Sequence, residues 1–185
     1  MTSACAAYCT QKDESIAMET TSAPTSQPGI DLQWSGDLVT GDARMDETHA
    51  EFVDMLNAIK ALPQDQQLEP YRAFYQHTVE HFAQEERWML ATGFTADNCH
   101  ASHHETILET MRAVDEHYVK GDTEIISRMM DAMAEWFPGH ANSMDRGLAL
   151  HLAEIGFDSV TETVADPSKL KNVVMSGCGS VTCTD

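Results

Sequence analysis

Basic side chains are scarce in this chain. Eleven lysines and arginines stand against 30 aspartates and glutamates, a formal net charge of −19 over 185 residues. Such a surface repels phosphate backbones and anionic lipid, which argues against nucleic acid or a membrane as partner. Long apolar runs are missing as well, none approaching the roughly 20 residues that cross a bilayer. Met1–Thr10 (MTSACAAYCT) lacks the basic residues and long apolar stretch of a secretory signal. These absences predict a soluble cytoplasmic protein. Alternating, strand-like runs are nearly absent too, leaving little material for a sheet. Cysteine is sparse and badly placed for a disulfide framework: Cys5 and Cys9 near the start, Cys178 and Cys183 near the end, and Cys99 alone in the middle.

What is present is enough for one domain, since 185 residues at 42% apolar content can bury a real core. Residues 1–30, rich in Ser, Thr, Ala, Gln and Pro, read as a disordered leader. Four segments then carry helical periodicity. Met45, His49, Phe52, Leu56 and Ile59 form the first stripe, with Pro63 beyond its end, and Phe74, Thr78, His81, Glu85 and Trp88 the second, closed by Gly93. A third stripe starts near Asp97 and holds His100, His104, Ile107, Met111, Val114 and Tyr118, stopping at Gly121. Asp122 or Thr123 is a candidate cap for the fourth, which runs from Ile126 through Met129, Met133, Trp136 or Phe137 and His140 to Met144 and Leu148. Pro138-Gly139 predicts a kink or restart within it. The pattern is that of an all-α, antiparallel, up-down-up-down four-helix bundle over residues 31–160, followed by a loosely held tail over 161–185.

The polar residues on these apolar stripes carry the chemistry. His81 with Glu85, and His100 with His104, are four apart and differ by only about 40° around a helix axis, so each pair reaches one point. His49 is in phase with its own stripe. His140 and Asp145 are five apart, about 140° in an ideal helix, so they approach from different directions unless Pro138-Gly139 resets the geometry. Alone, each is an ordinary core histidine or a surface chelate; together on four successive helices they point to a shared metal centre. Imidazole with carboxylate suits iron, zinc or copper better than magnesium or calcium. Seven donors suit two ions bridged by the carboxylates, with one position open.

From Trp34 to about Leu152 the chain resembles the hemerythrins, in particular their bacterial single-domain members. The likeness lies in Asp46-Glu47-Thr48-His49, in His81-Phe82-Ala83-Gln84-Glu85-Glu86, in the His100–His104 pair fifteen residues after Glu85, and in Trp136-Phe137-Pro138-Gly139-His140 followed by Asp145. It implies a non-haem di-iron centre with an oxo or hydroxo bridge. His100, His104 and His140 would hold one iron, His49 and His81 the other, and Glu85 and Asp145 would bridge them. Dioxygen would bind at the two-histidine iron, in a pocket lined by Phe52, Phe82, Trp136 and Phe137. The five-residue step to Asp145 is the family's own, whereas Pro138-Gly139 departs from the continuous helical sequence of many members.

The resemblance implies reversible oxygen storage, delivery or buffering by a monomer or small homo-oligomer, re-reduced by a redox donor protein. The alternatives are a di-iron enzyme reducing peroxide or nitric oxide, and an oxygen sensor or iron reservoir. The Glu-x-x-His pairs of ferritin-like oxidases do not occur here. Of the remaining histidines, His77 reads as lining beside the centre, His103 points elsewhere, and His117 and His151 fall in solvated positions near helix ends. The four terminal cysteines read as reduced thiols in mobile tails. The alternative is that the bundle brings both chain ends together, making a redox bridge or soft-metal site.

Overall fold

A computed structural model describes residues 31–170. The leader, residues 171–185 and the four terminal cysteines lie outside the described residues. Four long helical segments pack as the periodicity predicts: α1 (Ala43–Lys60), α2 (Leu68–Ala91), α3 (Cys99–Val119) and α4 (Ile125–His140). The fourth continues through a π-helical turn, Ala141–Asp145, into α5 (Arg146–Ile155). Each helix packs on the next and α1 packs on α4, which closes the ring. Among the described residues no helix is long and apolar enough to cross a membrane.

Local signals set the boundaries. The Asp42 side chain caps α1 by accepting from the amides of Arg44 and Met45. Asn98 does the same for α3 through Ala101 N at 3.0 Å, one residue past the expected start near Asp97. Gly93 and Gly121 take φ values of 103° and 107°, the left-handed turn that ends α2 and α3. The start of α4 differs from expectation. It follows Glu124 without a side-chain cap, and Asp122 instead accepts from Arg128. Buried Gln67 stitches three elements, donating to the carbonyls of Ile59 and Leu62 and accepting from Ser127 on α4.

Apolar side chains form two layers. The upper includes Phe52, Leu56, Tyr71, Phe74, Met111 and Phe137; the lower includes Met45, Trp88, Met89, Leu148, Leu152 and Ile155. On α1 and α2 the histidines and carboxylate of interest fall between these two layers in sequence, and His100, His104, His140 and Asp145 meet them there, so the bundle buries a polar stratum. After α5, β1 (Phe157–Asp158) pairs antiparallel with β2 (Thr163–Val164), a hairpin no sequence pattern reveals. Ser159 donates to the Asp42 cap and Arg87 pairs with Glu162 at 2.9 Å, which ties the hairpin across the starts of α1 and the end of α2.

Candidate metal centre

His49 comes from α1, His81 and Glu85 from α2, His100 and His104 from α3, and His140 from the end of α4, with Asp145 closing the π turn. All seven are between 0 and 3% exposed. The structure brings every one of the sequence-derived donors into one cluster.

The five-residue step has a local cause. A π turn bonds residue i to i+5, so residues five apart stack as residues four apart do in an α-helix. Asp145 Oδ1 thereby sits 3.1 Å from His140 Nε2. The helix does not restart at Pro138-Gly139: α4 runs through the proline to His140, and the irregularity follows as the π turn. Two side chains support the distorted segment: Asn142 Nδ2 donates to Pro138 O at 3.0 Å, and Ser143 Oγ to Gly139 O at 2.7 Å.

All five imidazoles present Nε2 to the carboxylates. Glu85 Oε1 lies 2.9 Å from His81 and 3.6 Å from His49, while Oε2 lies 3.3 Å from His100 and 3.5 Å from His104. Asp145 divides likewise: Oδ2 is 3.3 Å from His49, and Oδ1 is 3.0 Å from His100 and 3.1 Å from His140. Each carboxylate therefore gives one oxygen to a two-histidine group and the other to a three-histidine group. Two sets of side chains are spaced to hold a cation, one of Glu85, His100, His104, His140 and Asp145, the other of His49, His81 and Glu85.

The donor chemistry fits cations rather than a self-satisfied network. His49 Nε2, His100 Nε2, Glu85 Oε2 and both Asp145 oxygens are buried without a hydrogen-bond partner. His104 Nε2 and His140 Nε2 face each other at 3.1 Å. Unpaired polar atoms at this depth are costly, and a metal satisfies them together. Electrostatics agree. Burial works against charge on His49 and His100, yet Asp145 and Glu85 outweigh it and raise each imidazole to about 9. Burial pushes both carboxyls up, and Asp145 adds to this at Glu85, but the surrounding histidines hold both well below the usual range. His104 and His140 are lowered, mainly by burial. The cluster is thus a carboxylate pair demanding positive charge.

The four aromatics surround both groups, and Phe82 adjoins each, with its ring 5.3 Å from that of His81. Phe137 lies edge-on to His49 at 5.1 Å and stacks on Phe52 at 4.6 Å, and Phe52 reaches His81 at 6.4 Å. Phe82 stacks on His104 at 3.8 Å, and Trp136 on His140 at 4.4 Å. Trp34, 6.4 Å from His49, also adjoins the centre, though nothing in its sequence context marks it. His77 stays outside the cluster, 3.3 Å from Glu51, and His117 is exposed. His151 corrects the expectation of a solvated site: it is 5% exposed and lies 3.0 Å from Thr92 O, in phase with Met144, Leu148 and Ile155. That phase was the available signal.

Residues 40–151 match the family model of the hemerythrin HHE cation binding domain. A bacteriohemerythrin of Ralstonia nicotianae is 36% identical over 134 residues, covering 72% of this chain and 98% of that relative. With its buried histidine and carboxylate cluster inside a four-helix bundle, the chain belongs to the hemerythrin family.

Proposed function

We propose that this chain binds dioxygen reversibly at two iron ions sharing an oxo or hydroxo bridge, to store, deliver or buffer oxygen. The observation that carries the reading is the division of both carboxylates, Oε1 and Oδ2 toward His49 and His81, Oε2 and Oδ1 toward His100, His104 and His140. In this reading Glu85 and Asp145 bridge, three histidines hold one iron and two hold the other. When bound there, two ferrous ions would supply the two electrons that dioxygen needs and would take them back on its release.

The protein's own part is to leave one position short and to keep it dry. The two-histidine group has one imidazole fewer than its neighbour, and that side is walled by Phe52 and Phe137, both 0–1% exposed. Nearby hydroxyls are already committed: Thr78 Oγ1 donates to Phe74 O, and Thr48 Oγ1 to Arg44 O. With a metal held at the inward Nε2, each neutral imidazole would carry its proton on the outward Nδ1. On the side walled by Phe52 and Phe137 there is no room for the water and mobile protons that favour irreversible oxidation.

The test exposes the reduced, iron-loaded chain to oxygen, follows its visible spectrum, and then removes the oxygen. A charge-transfer band that appears and reversibly vanishes is the expected result. Rapid oxidation with turnover of peroxide or nitric oxide assigns an enzyme instead, and a colourless chain that retains zinc overturns both.

A further inference from the structure

The seven donors are so deeply buried that a cation needs a route to them, and the surface offers one. A cleft of about 650 Å³ along α2 and α3 is lined by Glu86, Glu105 and Glu109 among others, but by none of the seven. A second cleft, of about 380 Å³, opens between α1 and α2 and has His81 in its wall. His81 is 97% buried, the most exposed of the seven at 3%, and its Nδ1 has no hydrogen-bond partner.

The mouth of that cleft holds Glu51, His77 and Glu80. His77 Nε2 lies 3.3 Å from Glu51 Oε2, and the Glu51 side chain is 58% exposed. Glu80 is exposed and, among the described residues, accepts from the neutral amide of Gln76. Arg44 and Arg87 border the same cleft, but their charges are met outside it by Glu47 and Glu162 at 2.7 and 2.9 Å. The mouth is therefore a negative opening with an imidazole in it. His77, His81 and Glu85 then follow at four-residue steps on α2. The first two rings are 6.3 Å apart, and His81 Nε2 is 2.9 Å from Glu85 Oε1. They form a ladder of donors, one per helical turn, leading inward.

We propose that Glu51, His77 and Glu80 form a loading port, a transient site that captures a divalent transition-metal cation and passes it to His81 and Glu85. An imidazole beside carboxylates selects ferrous ion or its analogues over magnesium and calcium. The assignment rests on the reading of the buried cluster as a metal pair.

Cobalt(II) is the probe. The metal-free full chain, checked for retained helix by circular dichroism, is mixed anaerobically with cobalt(II), and uptake is followed by ligand-field absorption. E51Q and E51Q/H77N are expected to slow initial uptake by about tenfold or more, the scale on which a charged cleft accelerates entry. Final metal content should equal that of the unmodified chain. E105Q/E109Q, which removes two charges at the other cleft, should leave the rate unchanged. Exchange of bound iron against labelled iron in the loaded chain reads the same route without a metal-free state and should slow in the same variants. Unchanged rates in E51Q and E51Q/H77N, or equal slowing in E105Q/E109Q, overturn the port. A lower end-point content overturns it too, because His77 would then belong to the centre. An unmodified chain that takes up no metal defeats the reading of the centre itself.

Discussion

At the scale of single residues, the cluster separates donors that hold from side chains that seal. Asp145 offers both groups an oxygen and has no hydrogen-bond partner for either. Asp145→Asn replaces one of those oxygens with an NH2 that cannot ligate. Iron content should fall from about two per chain toward one or fewer, read by elemental analysis after anaerobic loading, and full retention of both ions would refute the bridging role. Phe52 makes no polar contact but is fully buried between Phe74 and Phe137. Phe52→Ala should cost about 3–5 kcal/mol in denaturant unfolding. It should also speed irreversible oxidation of the oxygenated protein, because the space left beside His81 admits water. A variant destabilised to that extent yet unchanged in oxidation rate would make Phe52 core alone.

At the scale of elements, the helices and their donors were legible because burial and metal ligation use the same period. His49, His81 and His100 lie on the stripes that pack the core, so the reading that located the core located them. The π turn was not legible as such, because i to i+5 bonding leaves no compositional mark; Pro138-Gly139 pointed to a kink or restart, whereas the helix runs through both and the irregularity begins at Ala141. The hairpin was hidden for another reason. Its strands are two residues each, too short for alternation to register, and its anchors, Asp42 and Arg87, are distant in sequence. The π turn makes a sharp prediction. Deleting Asn142 leaves Asp145 four residues after His140, where a plain α-helix stacks the pair as the π turn does now, and Leu148, Leu152 and Ile155 keep their phase. The shortened chain should keep both its metal-free melting temperature and its metal content. Loss of metal from it at an unchanged melting temperature would show that the π geometry itself, and not the stacking of Asp145 on His140, sets the site. The hairpin carries a pH dependence as well. Amides of Thr161 and Val160 hold the Asp158 carboxyl below its usual value, and Arg87 does so for Glu162. Depressed carboxyls contribute stability that is present above their ordinary range and lost as pH falls through the folded values. Nuclear magnetic resonance of the Val164 methyl groups should report detachment of the hairpin in acid, while Asp158→Asn should loosen it at neutral pH.

At the scale of the whole molecule, the fold is two apolar layers held apart by a polar one, and that middle layer gives opposite results with and without cations. Ions bound between the layers satisfy the unpaired nitrogens and oxygens and tie four helices at one height. A ligand that binds only the folded chain adds about 2.7 kcal/mol when present at a hundred times its dissociation constant. Removing the metal by chelation should therefore lower the thermal midpoint while leaving most helix in place, since both apolar layers remain. Without cations, two carboxylates at 0% exposure depend on buried, protonated His49 and His100 for their counter-charge, and Glu85 Oε2 and both Asp145 oxygens have no hydrogen-bond partner. Neutralising both carboxylates, in Glu85→Gln with Asp145→Asn, takes away the metal site and also the buried charge, a change that is often neutral or stabilising by about 1–4 kcal/mol. The ranking should thus invert: metal-loaded native chain above the double variant, metal-free native chain at or below it, by differential scanning calorimetry at one pH and salt concentration. If the native chain melts at the same temperature with and without metal, and above the double variant in both forms, the middle layer is an ordinary hydrogen-bonded core.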